Sequence, residues 1–225
     1  MYITDELFRF FSDLEANNNR EWFAQNKHRY EAHVKVPLLG LIEDFALPLS
    51  QISMHYLALP KAVGGSLFRI YRDIRFSKDK RPYKTHAGVH FRHESGKNAH
   101  APGFYLHLSP DECFAAAGVW GPDTHTLKLI RHAIVDNTPR WTAIKEKLIS
   151  HFDLAMHGES LKRTPRGFDP NHPYADDLRR KHFVAVSQLS RDEVLDSCFL
   201  EHLAVTFRRS APFMQFLTES IALPW

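Results

Sequence analysis

The 225-residue sequence predicts an α+β protein with a central antiparallel sheet flanked by N-terminal and C-terminal helices. Three observations carry this. Apolar residues recur at helical spacing through roughly the first 50 positions. The period switches to two between about Phe68 and Val119. It returns to helical spacing from about Asp123 to the end. Short connections between the strands favour antiparallel pairing. No internal repeat, low-complexity stretch or linker interrupts the chain, so one domain over 1–225 is expected.

The elements follow in order. Thr4 with Asp5 and Glu6 opens a first helix, and Leu7, Phe8, Phe11 and Leu14 line it. Asn17, Asn18 and Asn19 break that helix and cap a second, roughly Arg20–His33. Pro37 marks a kink or the first turn of a third helix, whose Leu38, Leu41, Ile42 and Phe45 form one stripe. Gly64 and Gly65 make a turn. A first strand is read over 68–76, with Phe68, Ile70, Ile74 and Phe76 alternating against Arg69, Tyr71, Asp73 and Arg75. Residues 77–85 form a loop around Pro82. Ala87, Val89 and Phe91 mark the next strand, and Glu94–Pro102 a polar connection. Phe104, Leu106 and Leu108 mark another strand, a tight turn follows at Ser109–Glu112, and small residues fill a strand over Cys113–Val119. Helices are predicted from Asp123 and from Thr138-Pro139, then a strand over His182–Gln188. Ser190-x-x-Glu193 is a capping box before closing helices with Phe199, Leu203, Phe207, Phe213 and Leu217.

Composition narrows the class. Hydrophobic content of 44% and charged content of 24% are those of a soluble globular protein. Seventeen Phe predict an aromatic core. Cys113 and Cys198 form no C-x-x-C pair and read as reduced core thiols of a cytoplasmic protein. The opening M-Y-I-T-D-E-L lacks a positive n-region and an apolar h-region, so no secretory leader is expected, and no apolar run approaches the ~20 residues of a bilayer span.

Charge is concentrated in one place. Residues 68–86 hold seven Lys or Arg against two Asp, a local +5; the whole chain is +3, so the remainder sums to −2. Such a cluster serves an anionic ligand or a paired internal network. Arg72 falls on the apolar side of the predicted strand, where a guanidinium must find a ligand anion or an internal acid. Arg69, Arg75, Lys78, Lys80 and Lys84 could wall a phosphate, with Ser77 and Thr85 as hydroxyl donors and Tyr83 as a ring. The alternative is a solvated charged surface.

His86, His90 and His107 invite a metal reading, but His86 and His90 stand about 13 Å apart on one strand, at ~3.3 Å per residue. No zinc signature is present, and no metal or cofactor is expected. Asp73, Asp79, His86, Tyr105 and His107 lie on or beside the less apolar sheet face, where an imidazole could act as a general base. No G-x-S-x-G, Walker or G-x-G-x-x-G motif accompanies them. A second basic loop runs over Arg163–Phe168 and would join the first only if the fold brings them together.

Five segments resemble a widespread bacterial and fungal family known only as a domain of unknown function: N-N-R-E-W-F (18–23), F-R-I-Y-R-D-I-R-F-S-K-D-K-R-P-Y-K-T-H (68–86), A-P-G-F-Y-L-H-L (101–108), A-G-V-W-G-P-D (117–123) and L-K-R-T-P-R-G-F-D-P-N-H-P (161–173). The resemblance implies a soluble, single-domain protein and carries no activity, cofactor or catalytic residue.

The expectation is a basic sheet face built on Arg69, Arg72, Arg75, Lys80, Lys84 and His86, with Tyr105 and His107 completing its wall. It would bind a phosphorylated or nucleotide-like small anion. A metal-independent hydrolase or transferase using His86 and His107 is the second reading. Nucleic-acid binding is the third, disfavoured by the charge of −2 outside the cluster. No membrane partner is expected, and no oligomeric state is specified.

Overall fold

A computed structural model describes residues 2–61, 63–95, 101–150, 155–157 and 159–225. Four helices come first: α1 (Asp5–Ala16), α2 (Arg20–Tyr30), α3 (Val36–Asp44) and α4 (Ala46–Ser50). Asn19 caps α2 by accepting the Trp22 N–H at 2.9 Å. No break separates α2 from α3. A π-helical turn, Glu31–Lys35, joins them, and the Val36 N–H reaches the Glu31 carbonyl. Pro37 explains the turn, because its ring cannot sit in a regular α ladder and lacks an N–H. The wider π turn absorbs that misfit.

The sheet has strands β1 (Tyr56–Leu57), β2 (Ala87–His93), β3 (Gly103–Leu108), β4 (Cys113–Val119), β5 (Ala155–His157) and β6 (Phe183–Leu189). Their order is β1-β2-β3-β4-β6-β5, and every neighbouring pair is antiparallel. The C-terminal helices are α5 (Thr124–Asp136), α6 (Thr138–Ser150), α7 (Ala175–Leu178), α8 (Arg191–Leu195) and α9 (Phe199–Ser220). The chain is thus α+β, with helices at both ends. Asp123 caps α5, and the Ser190–Glu193 capping box forms as the sequence indicates. Among the described residues no helix is long and apolar enough to cross a membrane.

Strand period two divides the sheet into unlike faces. Ala87, Val89, Phe91, Phe104, Leu106, Leu108, Ala115 and Ala117 point into a buried cluster with α1, α3 and α9. Val119, Phe183 and Ala185 share that face and join a second cluster with α5, α6 and the distal half of α9. Phe45, Phe91, Phe104 and Phe207 meet edge-on or tilted, at 4.9 to 6.1 Å between ring centres. Burying one such side chain stabilises the fold by roughly 1.5–3 kcal/mol. Beneath the second cluster lies Asp177, 1% exposed, which accepts from Trp141 Nε1, Lys145 Nζ and Arg180 Nε at 2.8 to 3.0 Å. Burial alone would raise its pKa, but these donors hold it below the usual carboxylate value.

Three expectations need correction. Residues 68–76 are not a strand. They run beside residues 82–90 with single bridges at Leu67–Val89 and Tyr71–Tyr83. Bonds from Phe68 N to Gly88 O and from Lys84 N to Ile70 O fall in registers two residues apart, so the ladder is broken by extra residues on the 84–88 limb. Their alternation reflects a two-limbed excursion from the sheet edge: Ile70 is buried, while Phe76 at its tip is 96% exposed. Secondly, Cys113 is buried but Cys198 is exposed, so only one thiol belongs to the core. Thirdly, the short strands β1 and β5 have no counterpart among the predicted elements, because two or three residues are too few to show a period. The expected connection over Glu94–Pro102 falls at 96–100 outside the described residues.

Candidate functional site

The other sheet face contributes no side chain of β2, β3 or β4 to either core cluster. From β2 it presents His90 and Arg92, with His86 just before the strand; from β3, Tyr105 and His107; from β4, Phe114. Two glycines open it. A Cβ on Gly103 would stand 2.2 Å from His90 Nε2, and one on Gly88 would stand 2.6 Å from the Tyr105 hydroxyl and 3.0 Å from the Phe68 ring. The missing side chains let His90, Tyr105 and Phe68 lie directly over the neighbouring strand.

Phe68 is the centre of the group. Its ring lies 5.8 Å from His90 and 5.9 Å from Tyr105. Lys84 Nζ is 5.2 Å and the Arg92 guanidinium 5.7 Å from the same ring centre. Arg92 Nε also donates to His90 Nδ1 at 3.1 Å, and Lys84 Nζ donates to the Arg69 carbonyl at 2.9 Å. Burial, and then the nearby charge of Arg69, push the Lys84 pKa down. Among the described residues none of Arg69, Lys84 and Arg92 forms a salt bridge. An aromatic ring steadies two of these cations without cancelling their charge.

A row of rings crosses the strands beside them. His86 and His107 are 4.4 Å apart, and His107 and Phe114 are 4.7 Å apart and parallel within 3°. That separation matches the strand spacing. Rings stacked so closely across strands stand on edge, so a ligand above the sheet meets imidazole edges rather than aromatic faces. The Tyr105 hydroxyl is 3.2 Å from His107 Nδ1. If Tyr105 donates this bond, His107 Nε2 carries the proton and becomes the outward donor.

These imidazoles are neutral at physiological pH. Burial lowers His86 to about 4, helped by the charges of His107 and Lys84. Burial and Arg92 lower His90 to about 4, and burial lowers His107. Burial pushes the Tyr105 phenol up to about 12. The face therefore offers neutral hydrogen-bonding groups beside three cations that form no salt bridge among the described residues. Among the described residues no group of three or more His, Cys, Asp or Glu is placed to hold a metal ion.

The eight residues expected to form one site divide. Lys84, His86, Tyr105 and His107 come together on this face, and Arg69 lies beside Lys84. Arg72, Arg75 and Lys80 belong to the tip of the excursion instead. Arg72 Nη1 donates to Asp79 at 2.7 Å and to the Arg81 carbonyl at 3.1 Å. Arg75 clamps Asp73 through Nε and Nη2, and Lys80 Nζ donates to the Ile74 carbonyl. Tyr83 is no ligand ring: it is 5% exposed and stacks on Phe23 at 4.2 Å. Asn18 clasps its backbone, donating to the Tyr83 carbonyl at 3.0 Å and accepting its N–H at 3.1 Å. The second basic loop is elsewhere, with Phe168 packed on His132 and the second core.

The sequence does not single out Phe68 as a centre, and Arg92, Gly88 and Gly103 are given no role in the expected site. The glycines are the available signal, since a glycine inside an alternating strand marks close approach by a neighbour. No curated protein and no solved structure matches the chain. A family model for a conserved hypothetical protein, DUF2461, matches residues 6–216, which hold all the side chains described above. The chain therefore belongs to the DUF2461 family of conserved hypothetical proteins.

Proposed function

We propose that the sheet face around Phe68 binds a small anionic ligand, most simply a phosphorylated metabolite, in the cytoplasm. One observation carries this reading: Arg69, Lys84 and Arg92 gather at one edge of the face with no salt-bridge partner among the described residues. Cations held together without counter-charge repel each other, and an anion relieves that repulsion. Neutral His86, His107 and Tyr105 add donors that make hydrogen bonds without a further charge. A phosphate seated there would take charge-assisted bonds from Lys84 and Arg92 and neutral bonds from the imidazole edges.

Isothermal titration with inorganic phosphate and with a nucleoside monophosphate tests this. Binding to the wild type should weaken at least tenfold in both Lys84→Ala and Arg92→Ala, the effect of about 1.4 kcal/mol. Unchanged affinity in both variants, or no heat at millimolar ligand, contradicts the proposal.

A second reading treats the same face as catalytic, with His107 as proton carrier and the cations stabilising developing negative charge. The Tyr105–His107 bond favours it, because with Tyr105 as donor it fixes the tautomer and leaves the proton on His107 Nε2. Phosphate-ester turnover that survives His107→Gln would remove it.

A further inference from the structure

The excursion tip, residues 72–82, is built differently from the sheet face and points to a second binding surface. The sequence repeats Asp-x-Arg there, as Asp73-Ile74-Arg75 and Asp79-Lys80-Arg81. Each aspartate accepts the backbone N–H two residues on, at 3.2 Å for Arg75 and 3.0 Å for Arg81. Each also binds the guanidinium of that same arginine, at 2.7 Å and 2.9 Å. Arg72 adds a second cation to Asp79. Both turns are thereby fixed by side chain to backbone bonds.

Both acids of the tip are consumed in these staples, yet five Lys or Arg other than Lys84 flank them: Arg72, Arg75, Lys78, Lys80 and Arg81. Five cations against two aspartates over 72–81 leave a net +3. Lys78 and Lys80 form no salt bridge among the described residues, and Lys80 donates only to the Ile74 carbonyl. Between the two staples stands Phe76, 96% exposed, with the Arg75 guanidinium 5.9 Å from its ring centre. The stapled turn thus presents one bare aromatic ring, with a guanidinium beside it, in a segment of net +3.

We infer that this tip binds single-stranded nucleic acid, stacking one base on Phe76 while Lys78, Lys80 and the arginines hold the adjacent phosphates. A bare ring in a basic segment suits a ligand that alternates flat apolar groups with anions, and a single strand has that composition. The bases of a duplex are already stacked and closed to such a ring. An anionic bilayer is the poorer fit, because Phe76 alone is fully bare among the tip's apolar side chains, and its neighbour Ile74 is not. The local footprint also agrees with a chain that is −2 outside residues 68–86.

Fluorescence anisotropy with a labelled 12-nucleotide oligothymidine and an oligouridine tests the inference, starting at 50 mM salt. The full chain should bind both, with a log–log salt slope of about −2 for three phosphates. Phe76→Ala should weaken binding roughly 5- to 150-fold, the worth of one stacked base, and leave the slope unchanged. The pair Lys78→Ala with Lys80→Ala should make the slope shallower by about 1.4. Since these side chains pack into neither core cluster, thermal unfolding should match the wild type. Four results would overturn the inference: no binding at 50 mM salt, equal affinity for a duplex of the same length, full affinity in Phe76→Ala, or Phe76-dependent capture by phosphatidylserine vesicles without oligonucleotide binding. Neither variant touches Lys84 or Arg92, so phosphate binding at the sheet face is tested separately.

Discussion

Mild acid should unfold this protein more easily than its carboxylates allow. His86 and His90 sit half-buried on the open sheet face, each with its pKa lowered from 6.5 to about 4. Because the folded-state values lie below the unfolded one, the unfolded chain takes up these protons first. The stabilisation is whole above about pH 6.5 and is lost as the pH falls toward 4. A tenfold change in proton affinity is worth about 1.4 kcal/mol, so each histidine could cost on the order of 2 kcal/mol at pH 5. Both keep some contact with water, which screens the penalty to about 1 kcal/mol each. Urea unfolding should then show a loss of about 2 kcal/mol between pH 7 and pH 5, a range above most carboxylate titrations. In His86→Asn with His90→Asn the same pH step should cost much less, whatever the variant's stability at pH 7. A wild type equally stable at both pH values, or a double variant as acid-sensitive as the wild type, refutes the reasoning.

The remaining predictions concern the frame around the site. Asn18→Ala removes both side-chain bonds to the Tyr83 backbone. It should destabilise the protein by about 1–3 kcal/mol and raise amide exchange across residues 70–84 in hydrogen-exchange mass spectrometry; unchanged protection there would show that Asn18 does not pin the excursion. Gly103→Ala places a methyl 2.2 Å from His90 Nε2. The ring must swing away, at a cost of about 1–3 kcal/mol and with its resonance moved toward that of a solvated histidine; an unperturbed His90 spectrum would deny the close packing. Asp177→Ala strands Lys145 beside a buried gap and should cost about 3–5 kcal/mol in chemical denaturation, whereas a loss under 1 kcal/mol would mean the network is incidental.

The helices and the main strands are legible because period, caps and turn residues agree there. Asn19, Asp123 and the Ser190–Glu193 pair each act as the local signal implies. The excursion misleads for a physical reason. Its apolar residues alternate, but Ile70 packs inward at the base while Phe76 stands in water at the tip, and no continuous partner strand satisfies residues 68–76. Alternation records side-chain direction and cannot tell a sheet from an irregular limb. The basic cluster is visible as charge, yet its division depends on where Asp73 and Asp79 turn. Those two acids pair with Arg72, Arg75 and Arg81 and leave Lys84 to the sheet. Arg92 and Phe68 join the site only through strand pairing and the glycine gaps, which a single sequence encodes weakly.

Proton NMR of the histidine rings during a phosphate titration reports on the sheet face itself. An anion bound between Lys84 and Arg92 must favour the charged imidazole nearby, so the His86 pKa should climb from about 4 toward its ordinary value of 6.5 as phosphate saturates. The resonance of His182, stacked on Trp120 away from this group, should stay still. Phosphate that leaves the His86 titration unmoved, or moves every histidine alike, contradicts an anion site on this face.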